Sequence, residues 1–393
     1  MIAHVQPLYV IAGDDLAPGT IAIEYVRPAE YGVQLVTDIT ISFTTQHTMY
    51  TPGSIAIEFP ASIALPTTGS PVQIKPQGDT RNHFLTATGT VQTGNIIKID
   101  NVFGGSDPPE GPLNFVLTFE QLQNPFSAQP AGNVKIETFY EGDTVDKGES
   151  TGSYTPTSGR IDGKSITVSN DVTSGIDSVY TLVFQTQSAV PEDGIIHIIL
   201  PPELTIFPAI LRSGGSCTQN DDFVCTDVIM NERTVVIQSK KKIEADTVTT
   251  INITGVQNPR SAAPSGEIVV VTFDIDGISE IDRGFNIVVQ MKELWAVDNF
   301  SVQPTSIYNG AINSYKFTLS SRVRLRDGDI VQFDFPEETR LPAAEQLIVE
   351  ATPRNVNGKS VFDNLTIEKT GDSSVKITFV NVAPTTETYN WQI

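Results

Sequence analysis

Gln123-Asn124-Pro125-Phe126-Ser127-Ala128-Gln129-Pro130-Ala131-Gly132 returns as Gln257-Asn258-Pro259-Arg260-Ser261-Ala262-Ala263-Pro264-Ser265-Gly266, at a spacing of 258 − 124 = 134 residues. Seven of the ten positions are identical, two prolines and a glycine among them. Both copies sit between alternating apolar positions, the mark of a half-buried strand. Leu117 and Phe119 precede the first copy, and Val134, Ile136 and Thr138 follow it. Ile251 and Ile253 precede the second, and Ile268, Val270 and Thr272 follow it. Prolines and glycine at fixed offsets set a long turn between strands. The composition favours a structural turn over a ligand-binding loop.

Working outward, more of the repeat comes into view. Ile55, Ile57 and Phe59 run into Pro60; Ile196, Ile198 and Leu200 run into Pro201; Val331, Phe333 and Phe335 run into Pro336. Each run follows a turn (Pro52-Gly53, Asp193-Gly194, Asp327-Gly328), and each turn follows another alternating stretch, Ile39–Phe43, Tyr180–Phe184 and Tyr315–Leu319. Val145-Asp146-Lys147-Gly148 matches Ile281-Asp282-Arg283-Gly284 and reads as a turn with glycine at positive φ. No stretch keeps a 3.6-residue period over three turns. The pattern predicts an all-β chain of three tandem β-sandwich domains, the third lacking its last strand. Expected boundaries are 1–18 for an N-terminal strand and turn, then 19–148, 149–295 and 296–393 for the domains.

These features (a strand ending in Phe-Pro, a small cysteine loop, and Asn-Pro-x-Ser before the last strand) resemble tandem immunoglobulin-like repeats of protist cell-surface proteins. The resemblance covers most of the chain and implies an extracellular or cell-surface location.

Length and composition agree. A chain of 393 residues suggests two to three domains. Twenty-five basic against 46 acidic residues give a net charge of −21, which disfavours nucleic acid and anionic lipid as partners. No apolar stretch is long enough for a membrane span, and residues 1–13 lack the basic start of a signal peptide.

The ends carry the functional expectation. The third repeat stops within Thr388–Ile393, the counterpart of Phe115–Phe119, before its Asn-Pro turn and last strand. Residues 1–18 have no counterpart at the start of a repeat, and Gly13-Asp14-Asp15-Leu16-Ala17-Pro18-Gly19 resembles Gly142–Gly148. The expected donor strand is Val5, Leu8, Tyr9, Val10 and Ile11; the expected acceptor edge is Thr388, Tyr389, Trp391 and Ile393. Insertion of the first into the second, between copies, builds a head-to-tail homopolymer. This end logic is similar to that of donor-strand pilus subunits, by topology and not by sequence. Alternatives are an excerpt from a longer array acting as an adhesin or receptor ectodomain, and closure within one chain.

No phosphate loop, nucleophile elbow or histidine-ligand spacing is present, so no enzyme is expected. Cys217 and Cys225 bracket a Gly/Ser/Asp-rich segment and suit a small disulfide loop, with free thiols as the competing reading. Asn252, Asn299 and Asn364 open sequons, which makes glycans a candidate partner. Asp14-Asp15, Asp221-Asp222 and Asp274–Gly277 could bind calcium at domain joints, against solvated turn acids; no other cofactor is expected. Lys240-Lys241-Lys242 reads as a solvated edge guard.

Overall fold

The computed structural model describes residues 18–67, 71–77, 85–103, 111–175, 178–206, 222–229, 233–294, 298–308, 310–321, 326–343, 346–348, 352–354, 364–380 and 389–392. Among the described residues all the regular elements longer than one residue are strands, as the alternation predicts.

The first sandwich contains β1 (Gly19–Thr20), β2 (Ala22–Pro28), β3 (Val36–Thr44), β4 (Gly53–Glu58), β5 (Pro71–Gln77), β6 (Leu85–Thr88), β7 (Thr90–Gln92), β8 (Ile96–Ile99), β9 (Asn114–Gln123), β10 (Lys135–Tyr140) and β11 (Asp143–Glu149). Its sheets run β1-β11-β10-β4-β8-β7 and β2-β3-β9-β5-β6. Ile39, Ile41 and Phe43 of β3 face Ile55 and Ile57 of β4 across a closed core, and all five are fully buried. Phe43 stacks on Phe115 at 5.2 Å, and Phe59 meets Phe119 edge-on at 5.3 Å. Each such side chain contributes about 1.5–3 kcal/mol on burial.

The second sandwich repeats this plan with β12 (Gly159–Val168), β13 (Ser178–Thr186), β14 (Ile195–Ile199), β15 (Thr205–Ile206), β16 (Phe223–Ile229), β17 (Thr234–Ser239), β18 (Val248–Gln257), β19 (Glu267–Phe273) and β20 (Glu280–Val288). The single strand β12 does the work of β1 and β2 together. Its first residues pair in parallel with β20, it bulges between Gly163 and Ser165, and the remainder pairs with β13. That bulge re-aims the strand from one layer to the other.

Val145–Gly148 and Ile281–Gly284 are not turns. They lie inside β11 and β20, the last strand of each sandwich. Neither glycine has positive φ. A Cβ on Gly148 would sit 2.3 Å from the Ile21 carbonyl oxygen, and one on Gly284 2.2 Å from that of Ile161. Close approach of the parallel first strand therefore excludes a side chain. The aspartates two residues earlier are completely buried. Asp146 accepts the backbone N–H of His47 at 3.0 Å and pairs with its Nδ1 at 2.7 Å; Asp282 accepts the N–H of Ser188 at 2.8 Å. Each acid thereby ties the last strand to the loop that follows the second long strand.

The third unit has β21 (Asp298–Pro304), β22 (Tyr315–Ser321), β23 (Ile330–Asp334), β24 (Thr352–Arg354), β25 (Asn364–Lys369), β26 (Ser374–Val380) and β27 (Tyr389–Gln392). They form β21-β22-β27-β24 and β23-β26-β25. Two strands are without counterparts among the described residues, those equivalent to β10 and β11. The expectation of a single missing strand undercounts, because β11 and β20 read as turns in the sequence.

Candidate functional site: interdomain joints and an open sheet edge

The repeated Asn-Pro turn places a buried amide at the end of each of the first two sandwiches. Asn124 Nδ2 donates to the carbonyls of Glu30 and Gly32, both at 2.8 Å, and its Oδ1 accepts from the Tyr154 hydroxyl at 2.9 Å. Asn258 Nδ2 donates to the carbonyls of Asn170 and Val172 at 2.6 and 2.7 Å, and its Oδ1 accepts from the Tyr180 hydroxyl at 2.6 Å. One side chain thus binds two partly buried carbonyls and a buried tyrosine hydroxyl, and pins the loop that precedes the second long strand. Burial raises the Tyr180 hydroxyl well above its ordinary pKa, so it stays a neutral donor.

The same turn meets the following sandwich, a role the sequence did not reveal. Ala128 N–H donates to the Glu280 carbonyl at 2.7 Å, and Ser279 Oγ lies 3.4 Å from Gln129 Oε1. Gln34, at φ 57°, inserts its amide between the two bodies. Its Nε2 donates to the carbonyls of Phe126 and Ala189 at 3.2 and 2.9 Å, and its Oε1 accepts the Ala189 N–H at 3.0 Å. Val33 and Tyr31 add main-chain bonds to Thr157 at 3.0 and 2.7 Å. At the second joint, Arg260 occupies the position of Phe126 and grips Asp329 through two contacts of 3.2 and 2.5 Å. Bidentate guanidinium–carboxylate geometry fixes orientation as well as distance.

The third unit presents an open side. β4 is paired by β8 and β10, and β14 by β17 and β19. β23 pairs with β26 alone among the described residues. Its other edge has no ladder among the described residues, and the core beside it is less covered than in the first two sandwiches. Ile55 and Ile196 are fully buried, whereas their counterpart Val331 is half-buried. Tyr180 is 1% exposed and its counterpart Tyr315 39%. Phe317 meets Phe333 at 4.5 Å and Phe335 at 5.7 Å, and Phe300, itself exposed, stacks on Phe317 at 6.3 Å. These rings make one aromatic ridge on the core of the third unit. The only charge on β23 is Asp334, held below the usual carboxylate range by hydrogen bonds from Gln332 and Ser374.

The sequence placed the acceptor edge at Thr388, Tyr389, Trp391 and Ile393. The structure corrects this: β27 lies between β22 and β24, so both its edges are paired. Thr388 and Ile393 lie outside the described residues, as do the donor residues Val5, Leu8, Tyr9, Val10 and Ile11. Among the described residues, the edge left unpaired where its counterparts β4 and β14 are paired is that of β23.

The remaining candidates fall in several places. Cys225 lies in β16, while Cys217 is outside the described residues. Asn252 stands half-buried on β18 with Oδ1 accepting from Thr181 Oγ1 at 2.7 Å; Asn299 and Asn364 lie on β21 and β25. Asp14-Asp15 and Asp221 are outside the described residues. Asp274 and Asp276 cap their own turn: Asp276 accepts from the backbone of Ile278 and Ser279, both at 2.8 Å, and from Ser279 Oγ, which lowers its pKa. Among the described residues no three His, Cys, Asp or Glu side chains converge, so the calcium expectation finds no ligand set there. Lys241 and Lys242 pair with Asp222 and Glu244 at the surface. Among the described residues no helix is long and apolar enough to cross a membrane.

No protein-family model matches the chain, and no curated protein does. Solved structures similar to it include a tetra-tandem repeat from the extending region of a large adhesion protein, at 13% identity and a TM-score of 0.28, covering 93% of this chain and 66% of that one. The major pilin subunit of Bacillus cereus is similar at 9% identity and a TM-score of 0.27, covering 70% of this chain and 68% of the pilin. A C-terminal fragment of a Streptococcus agalactiae major pilin is similar at 10% identity and a TM-score of 0.23, covering 70% of this chain and 91% of the fragment. No residue role is carried over from any of them.

Proposed function

We propose that the chain is a structural element of an extracellular assembly: a file of sandwiches in which the third is completed by a strand from a neighbouring copy. The carrying observation is β23, unpaired on the side where β4 and β14 are paired, above a half-open aromatic core. An added strand satisfies the edge and covers the ridge together. The occupant we assign is the apolar segment Met1–Ala12, whose composition suits a buried strand. Donor and acceptor are different surfaces, so the contact is heterologous and propagates head to tail. The reading places the chain on a cell surface or appendage and assigns it no reaction.

Analytical ultracentrifugation and electron microscopy of the full chain test it. Polymers are expected, and removing residues 2–12 should leave monomers that bind a synthetic Met1–Gly13 peptide. Polymers that survive the deletion overturn the donor assignment. A second reading, a loop-binding adhesin or receptor ectodomain, is favoured by the exposed apolar side chains of Ile307, Tyr308 and Ile312. It requires a chain that stays monomeric at high concentration.

A further inference from the structure

We infer that the loop between β21 and β22 is itself a joint surface, shaped to seat the first sandwich of a second copy. The inference rests on the head-to-tail reading above and adds a second contact to the strand insertion.

The equivalent loop of each earlier sandwich is a joint. In the first, residues 29–35 contact the linker at Thr157 and, through Gln34, the loop after β13 at Ala189. In the second, residues 169–175 contact the linker into the third unit: Thr173 N–H donates to the Glu293 carbonyl at 2.9 Å, and Lys292 N–H to that of Asp171 at 3.1 Å. Each loop carries a residue at positive φ, Gln34 (57°), Ser174 (59°) and, in the third, Gly310 (74°). The first two donate their N–H to the Asn-Pro turn, Gln34 to Pro125 at 3.0 Å and Ser174 to Pro259 at 2.8 Å.

The third loop also carries a positive-φ residue, and among the described residues no hydrogen bond joins it to another unit. Asn313 braces it: its Oδ1 accepts from Thr305 Oγ1 at 2.6 Å and from Ser306 N–H at 2.8 Å, while its Nδ2 donates to the Ser306 carbonyl at 2.6 Å. On this braced turn stand Ile307, 91% exposed, and Ile312, 104% exposed, with Tyr308 beside them. A tip braced by Asn313 with three large apolar side chains in water is a surface suited to a partner.

The matching face lies at the other end of the first sandwich. The second sandwich receives its neighbour on the loop after β13 and the turn between β19 and β20. The equivalents in the first sandwich are the loop after β3 and the turn between β10 and β11. Thr48 stands where Ala189 stands, because His47 and Ser188 make the same backbone bond to Asp146 and Asp282. Beside Thr48, the exposed ring of Tyr50 meets Tyr140 edge-on at 5.8 Å, an aromatic platform suited to an Ile-Tyr-Ile tip.

Cysteine cross-linking of the full chain tests this. Thr48→Cys with Ala311→Cys puts thiols on the two proposed faces. Thr48→Cys with Gly152→Cys, in open space on the linker, is the control. After mild oxidation the first variant should give a reducible ladder of dimers and trimers at least about tenfold stronger than the control. Ile307→Asp with Ile312→Asp in the otherwise natural chain should raise the concentration for half-assembly at least about tenfold. Polymers with no ladder above the control overturn this joint and leave the strand-insertion reading standing. A chain that remains monomeric in ultracentrifugation overturns both.

Discussion

Replacing Asn258 by alanine should cost the second sandwich about 3–5 kcal/mol. The side chain is 1% exposed and makes three hydrogen bonds of 2.6–2.7 Å, two donated to main-chain carbonyls and one accepted from Tyr180. Each bond contributes about 1 kcal/mol net, and a buried group left without a partner costs about 1–3 kcal/mol. Alanine orphans the Tyr180 hydroxyl, while the carbonyls of Asn170 and Val172 each lose one bond and keep another, from Ser178 Oγ at 3.1 Å and from Gly175 N–H at 3.2 Å. Tyr180→Phe removes only the hydroxyl and should cost about 1–2 kcal/mol. The two changes share one bond, so the double variant should be less destabilised than the sum by about 1 kcal/mol. Calorimetry of the full chain, with hydrogen exchange read at residues 170–175, separates this transition from those of the other units. Loss of protection should be confined to that loop and its neighbours. A cost below 1 kcal/mol for Asn258→Ala, or strict additivity with Tyr180→Phe, would refute the claim that this amide pins the loop.

Gly284→Ala should destabilise the second sandwich by at least about 2 kcal/mol, because its Cβ meets the Ile161 main chain, which cannot rotate away. Gly152→Ala, in open space, should be neutral in the same urea titration, and equal effects at the two positions would remove the close-approach argument. Burial holds the Asp282 carboxyl above its ordinary pKa, so the folded state keeps a proton that the unfolded chain has lost. Its contribution to stability is therefore greatest in acid and falls as pH rises from the ordinary carboxylate value, about 3.9, through the raised one. The wild type should gain on Asp282→Asn as pH drops from 7 to 4.5; the opposite slope in urea midpoints would contradict that sign.

What could be read in advance depended on whether a feature is local. Ile55–Phe59 and Ile196–Leu200 declare themselves as strands because alternation is a property of five neighbouring residues. The Asn-Pro turn declares itself because two copies can be laid side by side. Its partners do not, since the Gln34–Ala189 bonds join residues 155 positions apart and no periodicity marks them. The acceptor edge was misplaced for a related reason. The missing last strand pointed to Thr388–Ile393 as the unpartnered edge, but β24 pairs beside Tyr389–Gln392, and which strand lies at the edge is decided by topology. Gly148 and Gly284 misled in another way: glycine is common both in turns and where two main chains touch. Only the neighbouring strand separates the two cases.

The parallel pairing of the first strand with the last, β1 on β11 and β12 on β20, bears on how such a chain would carry tension. Pulled from its two ends, a sandwich tied this way feels the force along those paired strands. The bridging bonds are sheared as a set, not peeled one at a time. The third unit has no such pairing among the described residues; β21 is held only by its antiparallel neighbour β22. Stretched alone, it should yield first, and a strand seated along β23 decides whether tension passes through it intact.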